Sequence, residues 1–476
     1  MWSMAKLLRL APAVALIALA FSASPAEAAR PLTTGFTDTY FATNAGGQRP
    51  ARLQEARAAG ANIVRIDLSW WGVADQPPPG DATDPGNPGY NWGAIDASAR
   101  DAAAHGLSIL FNVFRAPPWG EGPGRPAGLE PGTWRPNAGA YGLFAKAAAR
   151  RYSGSYPDPG QPGRNLPRVR LWEAWNEPNI VQMINPQWEG GQPASPGIYR
   201  SLVNAFYAGV KSVSSSNIVI AGGMSPYGDP PGGERMMPAL FAREFFCLGG
   251  NLSPQPCANP PYLDVFDHHP YDVGGPARRA LNADDVATPD MGKLARIVRA
   301  AERTGRALPR HRKRLWVTEF SWESNPPDPG GIPILQHARW LEYGFYALWR
   351  AGVDTVLWYQ VRDEQPVPNY AGSYQSGIEF NDGSPKPTAT AFRFPFISER
   401  INKKKIRVWG KTPDGGRVAI QRRAGGGWRT LAVIRPGANR VFYTVIKYSG
   451  RSDLRAVSRG GAVSIEWPSR VNLVST

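Results

Sequence analysis

The chain predicts an α/β fold, a parallel (β/α)8 TIM barrel followed by a small C-terminal β-sandwich. Three observations carry that expectation. Between residues 31 and 397, eight short β-type runs alternate with helical stretches, the order of strands joined by helical crossovers. Beyond Pro395 the composition changes to short alternating strands separated by glycine-rich turns. Two of the eight runs stop at a carboxylate beside aromatic residues and ahead of a Pro/Gly-rich loop, as barrel strands do where they open on a pocket.

Taken in order, residues 1–28 read as a secretory signal peptide. Lys6 and Arg9 precede the apolar stretch 10–21, and Ala26-Glu27-Ala28 supplies a small-x-small cleavage pattern. That stretch is too short for a typical membrane span, and no later segment sustains the apolarity of one. The mature chain is therefore expected outside the cytoplasm, secreted or wall-associated, and its Ala/Arg/Gly/Pro-rich composition suggests a bacterial host. Strands are expected at 35–37, 62–68, 108–113, 169–175, 218–222, 263–267, 315–319 and 355–359. Helices are expected at 50–59, 92–105, 139–151, 196–212, 291–304 and 334–351, where apolar residues recur at helical spacing. The region exceeds the length usual for such barrels. The surplus lies in loops at 75–91, 116–137, 153–167 and 322–333, several of which would wall the active face. Cys247 and Cys257, the only cysteines, share a loop-like stretch, and in an oxidising compartment a disulfide between them is the expectation. Tail strands are expected at 406–409, 417–421, 428–434, 441–447 and 462–467.

Charge divides the chain. The formal net charge is +16, and residues 399–476 alone hold 17 Lys/Arg against 4 Asp/Glu. The 31–397 region is thus near balance, while the basic 399–476 domain could meet nucleic acid, an anionic cell-wall polymer or an anionic lipid surface, or, the favoured reading, serve as a solvated basic surface. Several chemistries are excluded by the motifs. There is no Gly-x-Ser-x-Gly elbow, no Walker loop and no His-Glu-x-x-His helix, and Gly120-Glu121-Gly122-Pro123-Gly124 departs from the dinucleotide pattern. No metal cluster is legible, and no cofactor is expected.

The two carboxylates carry the chemistry. One run ends in Leu171-Trp172-Glu173-Ala174-Trp175-Asn176-Glu177-Pro178-Asn179, the other in Leu315-Trp316-Val317-Thr318-Glu319-Phe320. On strands four and seven, Glu177 and Glu319 face one another across the barrel mouth. Two carboxyl groups in one pocket can break a glycosidic bond, one as acid/base and the other as nucleophile or water-activating base. With these residues on those strands, the barrel region resembles clan A of the glycoside hydrolases, and the Glu-Ala-Trp-Asn-Glu-Pro-Asn string is most similar to families 39 and 5. The resemblance implies a retaining (β/α)8 enzyme with Glu177 as acid/base and Glu319 as nucleophile. It implies that Asn176 bonds the sugar 2-hydroxyl, that Tyr271 of His269-Pro270-Tyr271 touches the nucleophile, and that His269 contacts substrate or acid/base. Arg65 corresponds to an arginine that steadies the nucleophile, and Trp358 looks like the tryptophan that floors the reacting-sugar subsite. Trp119, after strand three, is a further candidate wall. Glu173 also points into the barrel and reads as structural, paired with Arg65, a role that competes with Arg65 at the nucleophile. His268 reads as a structural neighbour.

The expectation is a secreted, monomeric retaining glycosidase acting on an oligo- or polysaccharide, with β-D-glycosides or α-L-arabinosides the linkages the resemblance implies. Two rivals stand beside it. One is a non-catalytic carbohydrate-binding or cell-wall adhesion barrel. The other is an adhesion or nucleic-acid-binding protein led by the basic tail, whose nucleic-acid binding would weaken steeply with salt.

Overall fold

The computed structural model describes residues 29–366 and 369–474. The expected signal segment 1–28 lies outside them. Eight parallel strands close a barrel: β1 (Thr33–Thr37), β2 (Ile63–Ser69), β3 (Ser108–Phe114), β4 (Leu171–Ala174), β5 (Ile218–Met224), β6 (Val265–His268), β7 (Arg314–Val317) and β8 (Thr355–Tyr359). Closure comes from β1, which pairs with β2 through Gly35↔Ile63 and with β8 through Thr33↔Thr355. A helix follows each strand: α1 (Arg49–Ala58), α2 (Gly93–Ala104), α3 (Ala138–Arg151), α4 (Ser195–Val213), α5 (Pro238–Phe245), α6 (Gly292–Arg303), α7 (Ile334–Ala351) and α8 (Pro387–Arg393). The sequence reading found six of these. It missed α5 and α8, which are 8 and 7 residues long, too short for a helical period to show.

Strand alternation builds the interior in two storeys. Ile63, Leu110, Ile220, Val265, Trp316 and Leu357 point inward and fuse into a separate apolar plug. Two residues further along the same strands, the inward side chains are Arg65, Asn112, Glu173 and Asp267, with Thr318 just past the end of β7, all of them buried. The outward residues between them, among them Phe111 and Trp172, join the larger core under the helices. Backbones crowd in the upper storey. Gly222 has φ of +128°, and a Cβ there would stand 2.1 Å from the Asp267 carbonyl oxygen, so only glycine fits.

Loops 75–91, 116–137 and 322–333 leave the C-terminal ends of strands and surround the mouth. Loop 153–167 follows α3 and lies at the opposite end. A disulfide joins Cys247 and Cys257 just after α5.

Six antiparallel strands complete the chain in two three-stranded sheets: β9 (Phe396–Asn402), β10 (Lys405–Lys411), β11 (Val418–Ala424), β12 (Gly427–Ile434), β13 (Val441–Lys447) and β14 (Leu454–Ser458), ordered β9-β10-β13 and β12-β11-β14. Two details correct the sequence reading. The boundary drawn at 397/399 falls inside β9. The segment expected as a strand at 462–467 makes only isolated bridges, Val457↔Val463 and Leu454↔Trp467, while the strand itself is β14, where Arg455 interrupts the apolar run. This layer docks on α7. Trp409 packs against Tyr346 and Trp349, Tyr346 Oη donates to Glu399 at 2.6 Å, and Trp340 Nε1 donates to the Asn472 carbonyl at 2.9 Å. With the barrel on one side and the sandwich on the other, α7 is buried on more than one face.

Candidate active site at the barrel mouth

The mouth is built from backbone irregularity just beyond the strand ends. After β4, Trp175 and Glu177 adopt φ of +70° and +38°, left-handed values that cost a non-glycine residue about 1–3 kcal/mol each. Neighbours hold them there. Trp175 N–H donates to the Val113 carbonyl at 2.9 Å and Glu177 N–H to the Gly223 carbonyl at 3.0 Å. The Trp175 ring is buried edge-on against Tyr141. The two turns fold the chain over the rim and leave Asn176 and Glu177 half-buried and facing inward.

Arg65 organises the floor. Its Nε donates to Glu173 Oε2 at 2.6 Å, its Nη1 to Glu319 Oε1 at 2.5 Å and its Nη2 to Asn176 Oδ1 at 2.8 Å. The two roles that competed in the sequence reading are therefore filled at once, because the planar guanidinium has donors enough for both carboxylates and the amide. Burial by itself would favour losing the Arg65 proton. Glu173, Glu319 and Asp67 more than offset it and raise its pKa well above the ordinary value.

His269 is the second hub. Its Nδ1 lies 3.1 Å from Glu177 Oε1 and 3.9 Å from Glu319 Oε2, and its Nε2 lies 3.0 Å from Thr318 Oγ1. Burial pulls its pKa down, but the charges of Glu319, Glu177 and Asp267 win and carry it up to about 9. An imidazolium at neutral pH donates from both nitrogens, to Glu177 and to Thr318. Thr318 in turn donates to Asp267, whose carboxyl is pushed up to about 7 by burial and by the charge of Glu173. His268, one residue earlier, faces away and bonds the Val286 carbonyl at 2.7 Å, and burial lowers it to about 3.

Glu319 accepts a second bond, from Tyr271 Oη at 3.1 Å. Both carboxylates reach one imidazole nitrogen, and the sum of those distances bounds the gap between these oxygens at ~7 Å, a range that includes the roughly 5–5.5 Å of double displacement. Their side chains are 19% and 16% exposed, so each is open to the mouth while held from beneath. Glu173, Asp267 and His269 present donor atoms within 4.8 Å of one another, a spacing that could hold a metal ion. Here Arg65 and Thr318 already engage the two carboxylates.

One aromatic expectation changes. Trp358 is fully buried, with its indole bonded to the Ser376 carbonyl and its ring packed against Phe320 and Trp322. It faces the helical layer and offers no surface to a sugar. The parity of β8 decides this: Leu357 belongs to the plug, so the next inward residue is Tyr359. Tyr359 meets Tyr374 edge-on at 5.2 Å, and Tyr374 is 52% exposed. Burial first, and then the charge of Glu319, raises the pKa of both phenols. Tyr374 sits on the loop after β8, where sequence gives no signal. Trp119 is half-buried, packed edge-on against Trp70 with its indole donating to the Ala74 carbonyl, and so ties the loops after β2 and β3 together.

No family model and no curated protein matches this chain. Among solved structures, it is similar to a family 39 glycoside hydrolase from the gut symbiont Bacteroides cellulosilyticus WH2, at 18% identity and a TM-score of 0.54, over 88% of this chain and 81% of that one. A glucosidase from Croceicoccus marinus (16% identity, 87% of this chain and 83% of that one, TM-score 0.48) and a GH5_18 protein from Streptomyces cattleya in complex with GlcNAc (15%, 77% and 79%, 0.46) are more distant, and nothing is argued from them. The first similarity establishes a shared fold, a (β/α)8 barrel, and the residues at its mouth are this chain's own.

Proposed function

We propose that this protein is a retaining glycoside hydrolase that cleaves O-glycosidic bonds by double displacement. One observation carries the reading: Glu177 and Glu319 converge on His269 Nδ1 while differing in their other partners. Glu319 accepts from Arg65 and Tyr271, two donors that fix its orientation and compensate its charge, as a nucleophile awaiting an anomeric carbon requires. Among the described residues the Glu177 side chain accepts from His269 alone, which leaves its other oxygen to give a proton to the leaving group.

In the first step a Glu319 oxygen bonds to the anomeric carbon as the carbon–oxygen bond to the leaving group breaks, and Glu177 delivers its proton to that oxygen. In the second, Glu177 takes a proton from water, which attacks the anomeric carbon and frees Glu319. Asn176 has its Oδ1 engaged by Arg65, which leaves its amide hydrogens for the 2-hydroxyl, a bond that strengthens as positive charge grows at the anomeric centre. Tyr359 and Tyr374 supply the aromatic wall first assigned to Trp358.

The same reading includes secretion, a β-D-glycoside or α-L-arabinoside linkage, and a monomer whose basic C-terminal layer meets anionic wall polymers. The Cys247–Cys257 disulfide supports an oxidising compartment. The test is hydrolysis of a panel of aryl β-D-glycosides and α-L-arabinosides by wild type, Glu319→Ala and Glu177→Ala. Release by wild type, its loss in Glu319→Ala and recovery there with azide as an inverted glycosyl azide support the proposal. If neither aryl glycosides nor polysaccharides are cleaved, the carbohydrate-binding rival replaces it.

A further inference from the structure

A cavity of about 690 Å³ opens on the mouth face beside the ends of β2 and β3. The last residues of these strands, Ser69 and Phe114, pair in register, and the chain beyond them places Trp71 and Arg115 together at the cavity wall. Trp71 N–H donates to the Arg115 carbonyl at 2.9 Å, and the guanidinium lies 5.7 Å from the Trp71 ring centroid. Arg115 has φ of +64°, a left-handed value that a side chain with a Cβ holds only where the surroundings enforce it. Among the described residues its guanidinium has neither a hydrogen bond nor an ion pair, which sets it apart from Arg65 and Arg151 in the same barrel. Gln76 and Asn91 line the same cavity, and so does Asp75, which does not come within ion-pairing distance of Arg115.

The cavity adjoins the reaction centre. Asp67, two residues before Ser69 on the same inward face, lies 3.7 Å from Arg65, which holds Glu319. At about 3.3 Å per residue, Ser69 is roughly 7 Å further along the strand, the length of one to two sugar units.

Resting on the glycosidase reading, we propose that Trp71 and Arg115 form a distal subsite for a sugar that carries a carboxylate, a uronic acid unit of the substrate chain. The indole face suits the C–H face of a pyranose, and the amides of Gln76 and Asn91 suit its hydroxyls. The uncommitted guanidinium supplies the planar fork that a carboxylate fills with two parallel bonds. A neutral sugar leaves that fork unpaired. Asp75, at the rim, opposes an anion, so its removal should strengthen the preference that loss of Arg115 abolishes.

The experiment compares short oligouronides with the same chains after their carboxylates are reduced to hydroxymethyl groups. Binding is measured by calorimetry on Glu319→Gln, so that the result does not depend on turnover. The uronide is expected to bind about 10–100-fold more tightly than its reduced counterpart. Adding Arg115→Gln should bring that ratio close to one, and Asp75→Asn should raise it. Equal affinity for both ligands, or an equal loss for both on Arg115→Gln, overturns the subsite. So does equally tight binding of a sulfated neutral oligosaccharide, which would show that any anion suffices. A wild type that cleaves neutral glycosides but shows no charge preference leaves the hydrolase reading standing and removes this one. A charge preference in binding without any hydrolysis does the reverse.

Discussion

The same eight strands build two interiors with opposite physics. Ile63, Leu110, Ile220, Val265, Trp316 and Leu357 fill the lower storey with hydrocarbon, while one pleat higher Arg65, Glu173, Asp267, Thr318 and His269 form a hydrogen-bonded charge network. The lower storey is held by burial, which is non-directional and tolerates approximate shape. The upper storey is held by pairing, in which every group depends on the next and a lost partner leaves a buried charge uncompensated. Stability and chemistry are thus separated by about one pleat of strand.

Four tests, which use five substitutions, can break or sharpen this comparison. The largest effect is expected from Arg65→Met, which strips donors from Glu173, Glu319 and Asn176 together. Leaving Glu173 buried without a partner should cost about 3–5 kcal/mol in denaturant unfolding, and the proposed glycosidase activity of the folded fraction should fall by 10²-fold or more. If activity survives, the upper storey is not the reaction centre. Trp316→Ala is its counterpart in the plug, with a stability loss of about 3–5 kcal/mol but an unchanged pH–rate profile in protein that stays folded. A shifted profile would show that the two storeys are coupled.

The third test uses pH. His269 stands at about 9 when folded against an ordinary 6.5, so the stability it contributes is full below pH 6.5 and is lost as pH rises through about 9. Asp267, raised to about 7 from 3.8, acts in the same direction, its contribution fading as pH rises towards 7. Together they should make the wild type weaker by a few kcal/mol at about pH 10 than at about pH 6, and His269→Asn should flatten most of that difference. Equal pH slopes in urea unfolding would remove the imidazolium from the network. The smallest effect is expected from Tyr374→Ala, which should raise KM roughly three- to tenfold with little change in melting temperature, whereas Trp358→Ala should lower stability by about 3–5 kcal/mol. The reverse pattern would return Trp358 to the substrate wall.

What could be read from sequence followed from periodicity. The span of β8 was legible to the residue, and the carboxylates Glu177 and Glu319 stood out because apolar runs ended at them. Trp358 was misplaced because a strand's alternation reveals two faces without saying which one looks inward. The plug residue Leu357 settles that only after closure. The α5 and α8 helices were too short to show a period. Tyr374 reaches the mouth from a loop, where no repeating pattern exists to place it. In the tail, β14 was hidden by Arg455, and its bridging neighbour 462–467 was read in its stead.

By itself, then, the sequence determined the alternation of strands and helices, the charge division between barrel and tail, and the carboxylates at two strand tips, because each is written in local spacing. Only the tertiary structure decided that Arg65 serves Glu173, Glu319 and Asn176 at once, that His269 joins both carboxylates, and that Tyr359 rather than Trp358 faces the mouth. Those facts depend on barrel closure, which brings residues more than a hundred positions apart within hydrogen-bonding distance and fixes which face of every strand looks inward.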